Sequence, residues 1–277
     1  MTHERITLFG AAMAVWLVVL SIATGPLLRR IGLVKPNFRN DSIPVSYGIL
    51  ILFWCAPAFT AIMLLSSTVS VEYLAYTIVS VGMGGLGFLD DLLGDRRRTG
   101  LKGHFRAFFV EGEITTGFLK AVGGAAVGLG VTRIVLNQAW ADVFLNGAII
   151  ALCANALNLL DLRPGRAGAV FLLLAALLIL SRWQAPQFPS LAIIFIPALL
   201  VYERDARARV MMGDSGSNLL GGTLGLSIVT TLESMAARGI VLLILVLLHI
   251  AAERISISKV IENNPLLRRI DRLTGKR

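Results

Sequence analysis

The chain has 277 residues, of which 56% are hydrophobic and only 16% charged, with a formal net charge of +9 and a mean hydropathy of +0.75. No water-soluble domain of this size needs so much apolar surface, which excludes a soluble enzyme or binding module and points to a membrane protein. The two cysteines, Cys55 and Cys153, lie far apart inside apolar runs, and His3, His104 and His249 are scattered, so neither a disulfide framework nor a histidine-based zinc site is expected.

A hydrocarbon core of about 30 Å needs roughly 20 apolar residues per helix, and apolar runs fall near 6–26, 43–66, 68–89, 115–135, 143–160, 168–182, 189–202, 215–232 and 238–252. The expected fold is therefore all-α, a polytopic integral membrane bundle of about nine transmembrane helices. The first run is followed directly by Arg29, Arg30, Lys35 and Arg39, which marks it as a retained span rather than a cleaved signal. Pro186, Pro189 and Pro197 interrupt later runs, as neighbouring helices in a membrane permit.

With the amino terminus outside, 21 of the 26 lysines and arginines fall on the inner side. This bias predicts an outside amino terminus and a cytoplasmic carboxyl terminus. Residues 1–277 read as one domain, with cytoplasmic loops near 27–42, 90–114, 161–167 and 203–214 and a cytoplasmic tail over 253–277. The positive charge then serves the anionic inner leaflet and anionic substrates, and nucleic acid is not an expected partner.

Three polar stretches follow in chain order. Gly84 to Asp95 ends a run with the adjacent carboxylates Asp90 and Asp91, then Asp95 and Arg96 to Arg98. Two neighbouring acids repel, which leaves one as a proton acceptor or lets both share a cation. Asn155, Asn158 and Asp161 stand at i, i+3 and i+6, one stripe down a helix end that suits a polar ligand. Met212-Gly213-Asp214-Ser215-Gly216-Ser217 opens another run, where free N–H groups and a positive dipole end favour phosphate and Asp214 is placed to hold Mg²⁺ against it. Glu111 and Glu113 with Thr115 and Thr116 read as capping of the following span.

Together with Pro26 to Gly32, Pro36-Asn37-Phe38-Arg39, Pro44 and Lys102-Gly103, these stretches resemble the polyprenyl-phosphate N-acetylhexosamine-1-phosphate transferases, glycosyl transferase family 4. That superfamily includes the phospho-N-acetylmuramoyl-pentapeptide and UDP-N-acetylglucosamine:undecaprenyl-phosphate transferases. The resemblance spans residues 26 to about 225. It implies a bacterial inner-membrane enzyme, working at the cytoplasmic face in envelope polysaccharide or peptidoglycan synthesis. Such an enzyme moves a sugar-1-phosphate from a UDP-sugar to a polyprenyl (undecaprenyl) phosphate and releases UMP.

The resemblance also implies Mg²⁺, with Mn²⁺ as a substitute, and is compatible with a homodimer. By position it makes Asp90 and Asp91 catalytic, and Asp214 with Asp91 the metal ligands. Lys102, Asn155, Asn158, Asp161, Arg163, Arg166 and Ser215 become substrate-binding.

The chain departs from the family pattern at several points. The usual Asp-Gly-x-Asp-Gly reads Asp161-Leu162-Arg163-Pro164-Gly165, a common aromatic is Met211, and the paired glycines after Pro44 read Gly48-Ile49. Residues 253–277 contain neither a histidine-rich loop nor a tenth span. These differences favour a simpler UDP-N-acetylhexosamine over the muramoyl-pentapeptide donor, with Arg163 and Arg166 taking over diphosphate contacts. The alternatives are a catalytically inactive membrane scaffold related to such enzymes and an ion-coupled transporter.

Overall fold

The computed structural model describes residues 3–66, 70–94, 100–181 and 188–276. Asp95, Arg96 to Arg98, Arg182 and Pro186 lie outside the described residues. Within them, each of the nine apolar runs corresponds to a helix. These are α1 (His3–Arg30), α2 (Ile49–Ser66), α3 (Val71–Leu93), α5 (Thr116–Gly130, prolonged by a π-helical turn Val131–Val135), α6 (Trp140–Leu160), α7 (Arg166–Ser181), α8 (Phe188–Ala206), α9 (Gly213–Thr231) and α10 (Met235–Ala252).

Three shorter helices, α4 (Gly100–Glu111), α11 (Ile257–Asn263) and α12 (Pro265–Thr274), occupy the expected loop and tail. The loop after α1 also folds into a feature the all-α expectation lacked, an antiparallel hairpin of β1 (Val34–Pro36) and β2 (Ser42–Pro44) with Val34 opposite Pro44.

Among the described residues, five segments are long and apolar enough to cross a membrane: Thr7–Arg30, Val71–Leu93, Thr116–Val135, Trp140–Leu160 and Met235–Ala252. Their outward sides carry bare apolar side chains, such as Ile22 on α1 and Leu243 and Ile244 on α10. An apolar belt of this kind suits hydrocarbon rather than water. Both cysteines are free and buried, as apolar filler should be.

The central helix is α9, whose apolar residues are interspersed with glycine, serine and threonine. It is almost wholly buried, and its glycines, serines and threonines let neighbouring backbones come close. Space for a methyl group is missing along its length. A Cβ on Gly48 would stand 2.2 Å from Gly216 Cα, one on Gly87 2.1 Å from the Asp214 carbonyl oxygen, and one on Gly221 2.3 Å from the Cys153 carbonyl oxygen.

The hydroxyls of α9 turn back to its own carbonyls, Thr223 to Leu219 at 2.9 Å and Ser227 to Thr223 at 2.8 Å. Across the interface Tyr76 on α3 hydrogen-bonds Ser227 at 2.7 Å. This close approach of α2, α3 and α6 to α9 brings their ends to one point. At the opposite end of the bundle, Arg238 on α10 pairs with Asp142 at 2.8 Å and donates to Asn146 at 3.0 Å, tying α10 to α6.

Several boundaries differ from the expected loops. Helix α3 runs on to Leu93 because no helix breaker intervenes before Gly94, so Asp90 and Asp91 belong to its last turn rather than to a loop. Likewise α8 continues to Ala206 and α7 begins at Arg166.

Overpacking at a backbone contact costs about 1–3 kcal/mol, whereas Gly85 on α3 has nothing within 4 Å of an added Cβ. Gly221→Ala should therefore lower the melting temperature of the detergent-solubilised protein by several degrees, while Gly85→Ala leaves it unchanged or raises it. Equal melting of the two variants would contradict this packing.

Candidate active site

The ends of α3, α5, α6 and α9 meet around a cavity of about 460 Å³. Its wall includes Asp90, Asp91, Asp161, Asp205 and Asp214, with Lys35, Asn37 and Phe38 from the hairpin region and Arg163 from the loop after α6.

Adjacent residues on a helix point about 100° apart, and the two carboxylates at the end of α3 take up different partners accordingly. Asp91 turns to the amino terminus of α9. Its Oδ2 accepts from the Ser46 hydroxyl at 2.6 Å and from the Ser215 N–H at 3.1 Å, and its Oδ1 accepts from the Asp214 N–H at 3.2 Å. A carboxylate that takes the first free N–H groups of a helix also meets the positive end of the helix dipole. Asp91 thus fixes where Asp214 stands.

The turn into α9 requires Gly213, whose φ is +76° and whose added Cβ would stand 2.6 Å from Asp91 Oδ2. Ser46, at φ +65°, holds a conformation few L-residues adopt. It is maintained by a backbone clamp: the Tyr47 N–H donates to Met211 O at 3.0 Å, Gly48 N–H to Met212 O at 2.9 Å, and Met211 N–H to Pro44 O at 2.8 Å. The Ser46 hydroxyl also lies 2.8 Å from that of Ser215, which is buried in this clamp and not on the cavity wall.

Asp90 turns the other way, to Lys120 on α5. The Lys120 ammonium donates to Asp90 Oδ2 at 2.8 Å and also to Asp214 Oδ2, so one cation bridges two carboxylates from different helices. The Asn158 amide completes the group. Oriented to satisfy both of its ends, its nitrogen donates to Asp214 Oδ1 at 3.0 Å and its oxygen accepts from Lys120 at 3.2 Å.

Asp161 ends α6 and faces the same space. Removal from water pushes its carboxyl well above the usual carboxylate range, and the neighbouring Asp205, Asp214 and Asp91 carboxylates add to that rise. Thr115 caps α5 by accepting from the Phe118 N–H at 3.2 Å, as expected of it, whereas Thr116 lies on the cavity wall.

The expected site residues thus divide. Asp90, Asp91, Asp161, Arg163 and Asp214 line the cavity, and Asn158 stands behind them. Asn155 is half-buried one turn further into α6 and is not part of the wall. Lys102 belongs to α4, but its side chain lies outside the described residues.

Arg163 stands 3.3 Å from Glu262 of the tail. Arg166 is buried and points away from the cavity: its Nε pairs with Asp271 at 2.8 Å and its Nη1 donates to Ser258 at 3.1 Å. Its guanidinium holds the tail.

Three residues of the site escaped the sequence reading. Lys120 stood out only as a cation inside an apolar run, a position that itself demands a buried anion. Asp205, 3% exposed, accepts from Gly165 N–H at 2.7 Å and from Met212 N–H at 3.2 Å, so an acid from α8 reaches the loop where the motif acid is replaced by Pro164. Ser46 carried no sequence signal.

The family model for glycosyl transferase family 4 matches residues 73–232, which takes in α3 to α9 and every cavity carboxylate. The chain belongs to glycosyl transferase family 4. Proteins named phospho-N-acetylmuramoyl-pentapeptide-transferase are similar to it along most of its length. That of Borreliella burgdorferi (strain ZS7) is 25% identical over 81% of this chain and 74% of its own. That of Anoxybacillus flavithermus is 29% identical over 83% and 77%, and that of Halalkalibacterium halodurans 26% identical over 87% and 78%.

Loss of the Asp91 carboxylate leaves two helix N–H groups and a buried hydroxyl without their acceptor, a cost of about 1–3 kcal/mol. Asp91→Ala should melt several degrees below the wild type, and Ser46→Ala should melt below it by less. Wild-type melting of Asp91→Ala would refute this helix-capping role.

Proposed function

We propose that the protein transfers an N-acetylhexosamine-1-phosphate from a UDP-sugar to a polyprenyl phosphate at the inner face of a bacterial cell membrane, releasing UMP. The observation that carries this reading is that Asp90, Asp161 and Asp214 line one cavity where the candidate spans α3 and α6 end, with Lys120 bridging Asp90 and Asp214. A lipid phosphate and a nucleotide diphosphate approach each other there only if their charges are screened, and the family's relatives named as phospho-sugar transferases support the same chemistry.

In this reading all nine apolar helices cross the membrane, with the amino terminus outside and the carboxyl terminus cytoplasmic, and the enzyme works as a monomer or homodimer. An oxygen of the lipid phosphate attacks the sugar-bearing phosphorus of the UDP-sugar, the pyrophosphate bond breaks, and UMP leaves with its electron pair. Lys120 holds Asp90 and Asp214 together and offsets phosphate charge. Asp90 orients the attacking phosphate, Asn158 and Asp161 meet the nucleotide sugar, and Arg163 and Lys35 lie on the wall for the diphosphate.

The donor set is one of hard oxygens, which suits Mg²⁺. Asp214 and Asp90 would hold the ion, with Asp161 facing them, while Asp91 is turned to the amino terminus of α9 and to Ser46. Bound there, Mg²⁺ would supply charge neutralisation for the diphosphate. Asp91 then serves as a positioning residue.

The test is UMP release by the purified protein with undecaprenyl phosphate and Mg²⁺, offered UDP-N-acetylglucosamine and UDP-N-acetylmuramoyl-pentapeptide separately. Release with the simpler donor, lost on chelation and in Asp214→Asn, is the expected result. No release with either donor from folded protein would overturn the reading and favour a catalytically inactive scaffold.

A further inference from the structure

The tail beyond α10 holds an element that the transfer reaction does not use. Helix α12 places Leu266, Leu267, Ile270 and Leu273 on one side and Arg268, Arg269 and Arg272 on the other, since positions four and seven apart share a face. The apolar side is largely bare: Leu266 is 66% and Leu273 79% exposed, with Ile270 at 49% and Leu267 at 38%. A helix bare on its apolar side and basic on the other has the make-up of one that lies in a lipid interface.

The position of α12 sets its depth. Asp271, at the margin of the two faces, pairs with the buried Arg166 at 2.8 Å, and Lys276 N–H donates to Ala206 O at 2.8 Å. A Cβ on Gly165 would stand 2.0 Å from Thr274 O, so the end of α12 rests on the loop between α6 and α7. That loop lies at the bundle end where α3 and α6 finish and α5 begins, and Ala252, the last residue of the candidate span in α10, precedes the tail. The bare leucines are therefore held at the level where the spans leave the hydrocarbon. The arginines beside them match an anionic surface.

We propose that α12 is an interfacial helix that inserts its Leu266, Leu267, Ile270 and Leu273 face into the leaflet at the cavity end of the bundle and binds anionic lipid headgroups through Arg268, Arg269 and Arg272. The three arginines together make binding depend steeply on the fraction of anionic lipid, with each adding roughly fivefold at low salt. The inference does not depend on the identity of the transferred sugar.

The test uses the full-length protein carrying Leu273→Cys and an environment-sensitive fluorophore. The native cysteines, 0% and 5% exposed, are shielded from the label. The protein is placed, one copy per disc, in nanodiscs of phosphatidylcholine alone or with phosphatidylglycerol. Blue-shifted emission quenched by doxyl-labelled lipid is expected in the anionic discs, several-fold stronger than in the neutral ones. Combining Arg268→Gln, Arg269→Gln and Arg272→Gln should abolish the difference without lowering the melting temperature.

A water-like, unquenched label in both lipids would overturn the proposal, as would equal quenching in both. Protection of the label only in discs holding two copies would also overturn it, by making the occupant a second chain.

Discussion

Like charges crowded in a poorly solvated space repel, and this bundle brings Asp90, Asp91, Asp161, Asp205 and Asp214 to one cavity. Two carboxylates about 4 Å apart at an effective dielectric of about 20 repel by about 4 kcal/mol, so the arrangement survives only where each group meets an opposing partner. Asp90 and Asp214 share Lys120, Asp91 takes the end of α9, and Asp205 takes two backbone N–H groups. Asp161 accepts from the Gly213 backbone N–H, yet removal from water and the neighbouring carboxylates still push its carboxyl well up. A site that separates phosphate from phosphate is also the site that must first separate its own acids.

The packing of α9 makes this possible. A helix of leucines could not be approached so closely, whereas Gly216 lets in the backbone just before α2, Gly221 and Gly225 let in that of α6, and Gly87 on α3 lets α3 meet the start of α9. The tightest approach to α9, between Gly87 and the Asp214 carbonyl, lies one helical turn before Asp91. The acid pair and the metal-binding candidate are thus registered to each other by backbone contact and not only by side-chain reach. Stability and chemistry draw on the same few positions, so changes at the glycines should move both.

Much of this was legible in the chain. All nine apolar runs became helices, and Asp90, Asp91, Asp161 and Asp214 were visible because an acid at the end of an apolar run is expensive without a purpose. The partners of those acids were not visible. Lys120 is 94 residues from Asp214 and Ser46 is 45 from Asp91, and neither separation leaves a periodic or motif signal.

Arg166 was placed beside the motif as a diphosphate contact, and in the structure the tail folds back to pair with it through Asp271, a contact 105 residues away that leaves no local signal. The hairpin Val34–Pro36 with Ser42–Pro44 is too short for alternation to reveal it.

The central claim is that one cation position between Asp90 and Asp214 governs the site, and the melting temperature of Lys120→Met tests it most directly. Removing the ammonium leaves two facing carboxylates, so Lys120→Met should melt several degrees below the wild type, and adding Asp90→Asn to it should restore part of the loss. A Lys120→Met protein that melts with the wild type, or a double variant less stable than the single one, would contradict the account.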